Sequence, residues 1–194
     1  MAADSFENIV RTLLEAEGFW IQQSFKVNLS LDEKRSIEKP TAPRPEIDIL
    51  AFDFARNVVN VLEVKSYLDS SGVRLGDLKQ TFDWPKGRYK LFTCALYERV
   101  VLNRLKIQLM QSGMANVDTT LRLGLVFGNI YSKDAAAIAS YARSKRWFFW
   151  SSRGVQRRLK QQAERQYEND PAIISAKILL RGLPRRPAAM LKDS

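Results

Sequence analysis

Two apolar, β-branched segments, Ile47–Phe54 and Val58–Lys65, stand with only the short polar turn around Arg56 and Asn57 between them. Runs of this length and composition, split by so short a turn, are expected to pair as an antiparallel hairpin. Strand geometry then dictates where the charges go. Residues two apart share a face, so Glu63 and Lys65 lie side by side with Val59 and Val61, while Val64 points the other way. Hairpin pairing can bring Asp48 to join them. The charges emerge from an otherwise buried strip, where leaving them unpaired would be costly. One Asp, one Glu and one Lys at the end of an apolar sheet can bind a divalent cation through hard oxygen ligands and hold a water beside an ammonium.

The rest of the chain supplies elements to pack on that hairpin. Asp4 or Ser5 can cap a first helix that runs to about Glu17 and stops at Gly18. Phe6, Ile9, Val10, Leu13 and Leu14 form its buried face, and Glu7 sits at the border of that face. Phe19–Leu29 reads as a strand, and the charged, proline-containing stretch Asp32–Pro45 reads as a loop. After Tyr67 the chain is polar, with a short helix expected around Leu78–Phe82. A long helix over Ala95–Ser112, a strand over Thr120–Phe127, a helix over Ser132–Arg143 capped by Ser132, and a short aromatic strand over Trp147–Trp150 follow. Ser152–Tyr167 is a strongly basic helix, Asp170-Pro171 opens another, and LPRRPAAMLKDS is expected to be a mobile tail. Helices alternating with strands of a mixed sheet make an α/β protein. A core over residues 1–151 with a basic helical C-terminal extension over residues 152–194 is the expected domain division.

Composition narrows the chemistry. The chain of 194 residues has no histidine, which excludes Ser-His-Asp triads, Cys-His nucleophiles and His-ligated zinc. Catalysis would rest on carboxylates, lysine and metal ions. One cysteine, Cys94, excludes an internal disulfide. A formal charge of +10 implies attraction to polyanions, nucleic acid first, with ribosomes or acidic membrane surfaces as other basic-protein partners. No apolar run approaches the roughly 18 residues of a membrane span. The opening MAADSFENIV lacks the plan of a signal peptide, so the expectation is a cytoplasmic protein that is not a membrane partner.

Taken in order, Glu7 in a first helix, Asp48 on the second strand after a proline-containing loop, and Glu63 with Lys65 on the third resemble the PD-(D/E)xK, or restriction-endonuclease-like, nuclease superfamily. FENIVRTLLEAEGFWI is similar to the family's opening helix and strand entry, and VLEVKS to its central motif; the likeness covers about the first 70 residues. The proline is not adjacent to the aspartate here, since the segment reads Pro45-Glu46-Ile47-Asp48. Asp48 is matched because apolar Ile49-Leu50 follows it, with Glu46 as the second choice. The resemblance implies a restriction-endonuclease-like core, a mixed central sheet flanked by helices. It also implies a nuclease in which Asp48, Glu63 and the Val64 carbonyl bind Mg2+ or Mn2+. Lys65 would assist the attacking water, Glu7 would complete the acidic wall, and Gln80 would support the site from the next helix. DNA stands ahead of RNA as partner, and a homodimer would suit an enzyme that cuts both strands.

Each feature also has a plainer account. A Glu-x-Lys tripeptide is common at solvated strand ends, a glutamate in a first helical turn is favoured by the macrodipole, and Gln80 suits an ordinary exposed position. Lys145, Arg146, Arg153, Arg157, Arg158 and Lys160 gather around Trp147–Trp150. They suit phosphate contacts, or they form a solvated helix face beside a core strand. The rival to turnover is a nuclease-fold module that binds nucleic acid or assembles without catalysis.

Overall fold

In the computed structural model, which describes residues 5–165 and 169–181, β2 (Glu46–Asp53) and β3 (Val58–Lys65) form the expected antiparallel hairpin, paired from Ile49↔Leu62 to Asp53↔Val58. Its turn is held by Asp53, whose carboxylate accepts from the backbone and guanidinium of Arg56, while Asn57 takes the left-handed conformation at φ 52°. Asp and Asn suit such turns because their side chains bond nearby backbone and tolerate positive φ.

β1 (Trp20–Lys26) adds to the free edge of β2 in antiparallel fashion, and β4 (Thr120–Phe127) and β5 (Phe148–Trp150) follow β3 in parallel. The result is a five-stranded mixed sheet in the order β1-β2-β3-β4-β5. Its two faces separate by residue parity. Leu50, Phe52, Val59, Val61 and Leu123 pack under Val101, Leu105 and Leu109 of α5 (Ala95–Gln111). Ile49, Ala51, Leu62, Val64 and Val126 pack under Phe6, Val10, Leu13 and Leu14 of α1 (Ser5–Ala16). Each fully buried aliphatic side chain of these layers contributes roughly 1.5–3 kcal/mol. The protein is therefore α/β, a mixed sheet between two helical layers.

Several local expectations are corrected. The stretch Asp32–Pro45 is not all loop: it begins within α2 (Leu31–Ser36), started by a capping box in which Ser30 and Glu33 bond each other's backbone. The short helix after β3 is α3 (Leu75–Lys79), with Gln80 beyond its last residue, and a one-turn α4 (Lys90–Thr93) precedes α5. Ser132 does not cap α6. Ser132–Asp134 is a 3-10 turn, α6 is Ala135–Ser144, and Asp134 instead accepts from the Leu75 backbone. The first strand ends at Lys26, short of Leu29.

The basic helix α7 (Ser152–Ala163) is capped by Ser151, and α8 (Pro171–Leu180) by Asp170, whose carboxylate accepts from Ala172 and Ile173 with Pro171 in the first turn. Val155 and Leu159 place α7 in the same layer as α1. Asp4, Tyr167 and the tail residues, Arg185 and Arg186 among them, lie outside the described residues. Among the described residues no helix is long and apolar enough to cross a membrane.

Candidate functional site

Asp48 shares the α5-side face with Leu50, and Glu63 and Lys65 share it with Val61; all three lie beyond the last paired residues of the hairpin, Ile49 and Leu62. There the three side chains meet. Lys65 Nζ lies 2.8 Å from Asp48 Oδ2 and 2.9 Å from Glu63 Oε1, so one ammonium bridges two carboxylates. Asp48 Oδ2 also accepts from the Val64 backbone N–H at 2.8 Å. A strand residue's carbonyl points the same way as its N–H, so the Val64 carbonyl is aimed toward the Asp48 side as well.

The electrostatics follow from burial. The Glu63 carboxyl is raised above the usual range, first by desolvation and then by the negative charge of Asp48, with the Lys65 and Lys90 ammoniums opposing. Burial alone would lower Lys65, but Glu63 and Asp48 outweigh it and hold the ammonium above the ordinary lysine value. Lys65 is therefore a fixed cation at neutral pH. The Tyr97 phenol is also raised by burial and by Glu63, so it remains a hydrogen-bond donor.

The triad lies in a cleft of about 530 Å³. One wall is the connection from β1 to β2, carrying Lys34, Lys39 and Arg44; the other carries Arg88, Lys90 and Tyr97. Arg104 braces the first wall, its Nε lying 2.9 Å from both Glu33 carboxylate oxygens and so tying α2 to α5. Lys34 Nζ reinforces that wall by donating to the Ala42 carbonyl at 2.8 Å. Besides Lys65, five Lys or Arg side chains face the three carboxylates of Glu46, Asp48 and Glu63, so the cleft attracts anions.

The other sequence candidates go elsewhere. Glu46 lines the cleft, but Asp48 makes the contact with Lys65. Glu7 belongs to α1, which covers the opposite face of the sheet, and it does not line the cleft. Gln80 is exposed past the end of α3 and does not line it either. None of Lys145, Arg146, Arg153, Arg157, Arg158 and Lys160 lines the cleft. Arg158 pairs with Glu17 and stacks 4.0 Å over the Trp150 ring, a structural tie between α7 and the α1 end. The aromatics of Phe148–Trp150 pack into the core clusters. The cleft cations escaped sequence reading because they come from two segments, Lys34–Arg44 and Arg88–Lys90, that are separated along the chain by the hairpin and α3.

Among the described residues no group of three or more Asp, Glu, His or Cys side chains is placed to hold a metal ion. The oxygen donors around Lys65 are the Asp48 and Glu63 carboxylates and the Val64 carbonyl. Mg2+ is commonly held by only one or two carboxylates, with waters and substrate phosphates filling the remaining positions, so this donor set suits it. Comparison with known proteins finds no match: no family model matches the chain, nor does any curated protein or solved structure.

Proposed function

We propose that the chain is a metal-dependent nuclease of restriction-endonuclease-like type, hydrolysing phosphodiester bonds of nucleic acid, with DNA ahead of RNA. The observation that carries the reading is the Lys65 ammonium set between Asp48 and Glu63 at the floor of a cationic cleft. Phosphodiester hydrolysis needs an oriented water and positive charge where the phosphate oxygens become more negative. Lys65, held protonated, orients that water and stabilises that charge. Lys65 keeps its own proton, so the water's proton would leave to solvent in the open cleft. Asp48, Glu63 and the Val64 carbonyl would hold Mg2+ or Mn2+, which supplies Lewis-acid polarisation of the phosphoryl oxygen. Lys34, Lys39, Arg44, Arg88 and Lys90 bind the phosphate backbone along both walls.

A second reading is a nuclease-fold binding module without turnover. It is favoured by the closure of the triad, in which Lys65 already partners both carboxylates. Purified protein incubated with single-stranded, double-stranded and branched DNA and with RNA, in Mg2+, Mn2+ or EDTA, separates the two. Metal-dependent cleavage that stops in Asp48→Ala supports the enzyme. Binding without cleavage in every metal supports the module. Cutting both strands of a duplex would call for a second copy, which sedimentation of the assay mixture tests.

A further inference from the structure

A second cavity, of about 240 Å³, adjoins the cleft, and Tyr67 and Arg88 line both. Tyr67 follows the Lys65 strand end by two residues and adopts φ 47°, the left-handed region that bulky side chains rarely enter. Strain of this kind persists where surrounding contacts over-determine it, and here they are identifiable. The Tyr67 carbonyl accepts from the Ser70 backbone at 3.2 Å, the Ser70 hydroxyl at 3.0 Å and Asn129 Nδ2 at 3.3 Å. The Tyr89 hydroxyl donates to the Tyr67 hydroxyl at 3.2 Å. Gly72 presses the loop onto the next connection so closely that a Cβ there would lie 2.7–2.9 Å from the Ile130 and Tyr131 backbone. The partition between the two cavities is thus a built feature.

The chemistry of the second cavity is that of an anion site. Arg74 and Arg88 approach from different segments, Ser70 and Ser71 line it, and Asp77 is the one acidic residue among its described lining residues. The Arg74 guanidinium is positioned by stacking 4.6 Å over the Tyr131 ring. Arginine forks match phosphate oxygens. The volume is below the roughly 300 Å³ at which pockets begin to enclose drug-sized ligands, so a phosphate fits the cavity better than a whole nucleotide.

We propose that this cavity is a phosphate subsite, filled by a phosphate of the strand bound in the cleft, either the neighbouring internal phosphodiester or a phosphomonoester at the strand end. The inference rests on the nuclease reading. The test is equilibrium binding in Ca2+ of labelled DNA oligonucleotides bearing a 5′-phosphate, a 3′-phosphate or hydroxyls at both ends. Wild type, Arg74→Gln and Arg74→Lys are compared, with unchanged melting temperatures as the control for folding. Arg74→Gln is expected to weaken binding about tenfold, one charge-assisted contact's worth, and Arg74→Lys by less. A loss confined to one phosphorylated end assigns the phosphomonoester, and an equal loss for all three assigns an internal phosphate. Wild-type affinity of Arg74→Gln for all three oligonucleotides overturns the subsite while leaving the nuclease reading intact. A wild-type protein that binds none of them overturns both.

Discussion

Lys65 Nζ and Asp48 Oδ2 lie 2.8 Å apart, although the residues stand on different strands of the hairpin. The same ammonium reaches Glu63, so Lys65 neutralises two partly buried acids at once. Both its chemical and its structural importance follow from that placement.

Lys65→Met removes the charge and keeps much of the stem. Cleavage measured in single turnover should fall about a hundredfold or more, the scale of a lost electrostatic or proton-handling group. Affinity for substrate in Ca2+ should change little, because the cleft walls carry the phosphate contacts. Lys65→Arg should not restore the rate, since a planar guanidinium cannot occupy the same point between the carboxylates. Wild-type turnover by Lys65→Met would leave the lysine a structural partner only.

The same variant should lose stability at neutral pH, on the order of 2 kcal/mol, because two partly buried carboxylates are left facing each other without their cation. The sign of its pH dependence follows from Glu63. A carboxyl raised in the folded state contributes stability that is present below its unfolded value of about 4.3 and lost as pH rises through the raised folded value. Lys65→Met should therefore regain stability on acidification from neutral pH toward that value. In the wild type, the raised Lys65 contributes fully below the ordinary lysine value of about 10.4 and loses that contribution only at higher pH. Denaturant melts carried from acidic pH to above the ordinary lysine value of about 10.4 check both, and a variant equally destabilised at every pH would refute the coupling.

Asp48→Ala and Glu63→Ala should both abolish cleavage, but they should differ in stability. Asp48 also accepts from the Val64 N–H, so its loss strands a backbone donor and costs about 1 kcal/mol. Glu63→Ala removes a desolvated charge beside another and should hold or raise the melting temperature. Calorimetry of the pair, alongside a nuclease assay, separates these outcomes. Full activity in either alanine variant would remove the site.

Binding in Ca2+ should weaken steeply with salt, with a slope of roughly 0.9 for each phosphate neutralised on duplex DNA. Charge reversal at Lys39, Arg44 and Lys90, which line the cleft, should flatten that slope. Reversal at Arg157 and Lys160, exposed on a helix of the opposite layer, should flatten it less. Reversal at Arg158 should instead destabilise the fold, through Glu17 and Trp150. Equal slopes for the two groups would move the nucleic-acid path to α7.

Where a signal is local, the residues carried it openly. The hairpin, the α1 stripe, the β4 strand and the Asp170-Pro171 start of α8 follow from periodicity and capping within a few residues. The α2 start was also written locally, as Ser30-x-x-Glu33, but the charge and prolines of the following stretch masked it. The single turn of α4 is too short to show a period. Gln80 and Glu7 were placed by order along the chain, which does not say on which side of a sheet a helix lies.

That Glu63 and Lys65 share a face, and that Asp48 can reach them, is legible in the residues alone, because a strand's period of two is a property of the backbone. What surrounds them was set by packing between distant segments. The packing of α5 on one face, and the Glu33–Arg104 tie that pins the β1–β2 connection above it, bring Lys34, Lys39 and Arg44 opposite Arg88 and Lys90. The packing of Val155 and Leu159 with α1 sends the most basic helix to the other layer. Side-chain burial between distant segments chose those positions, and no periodicity along the chain records that choice.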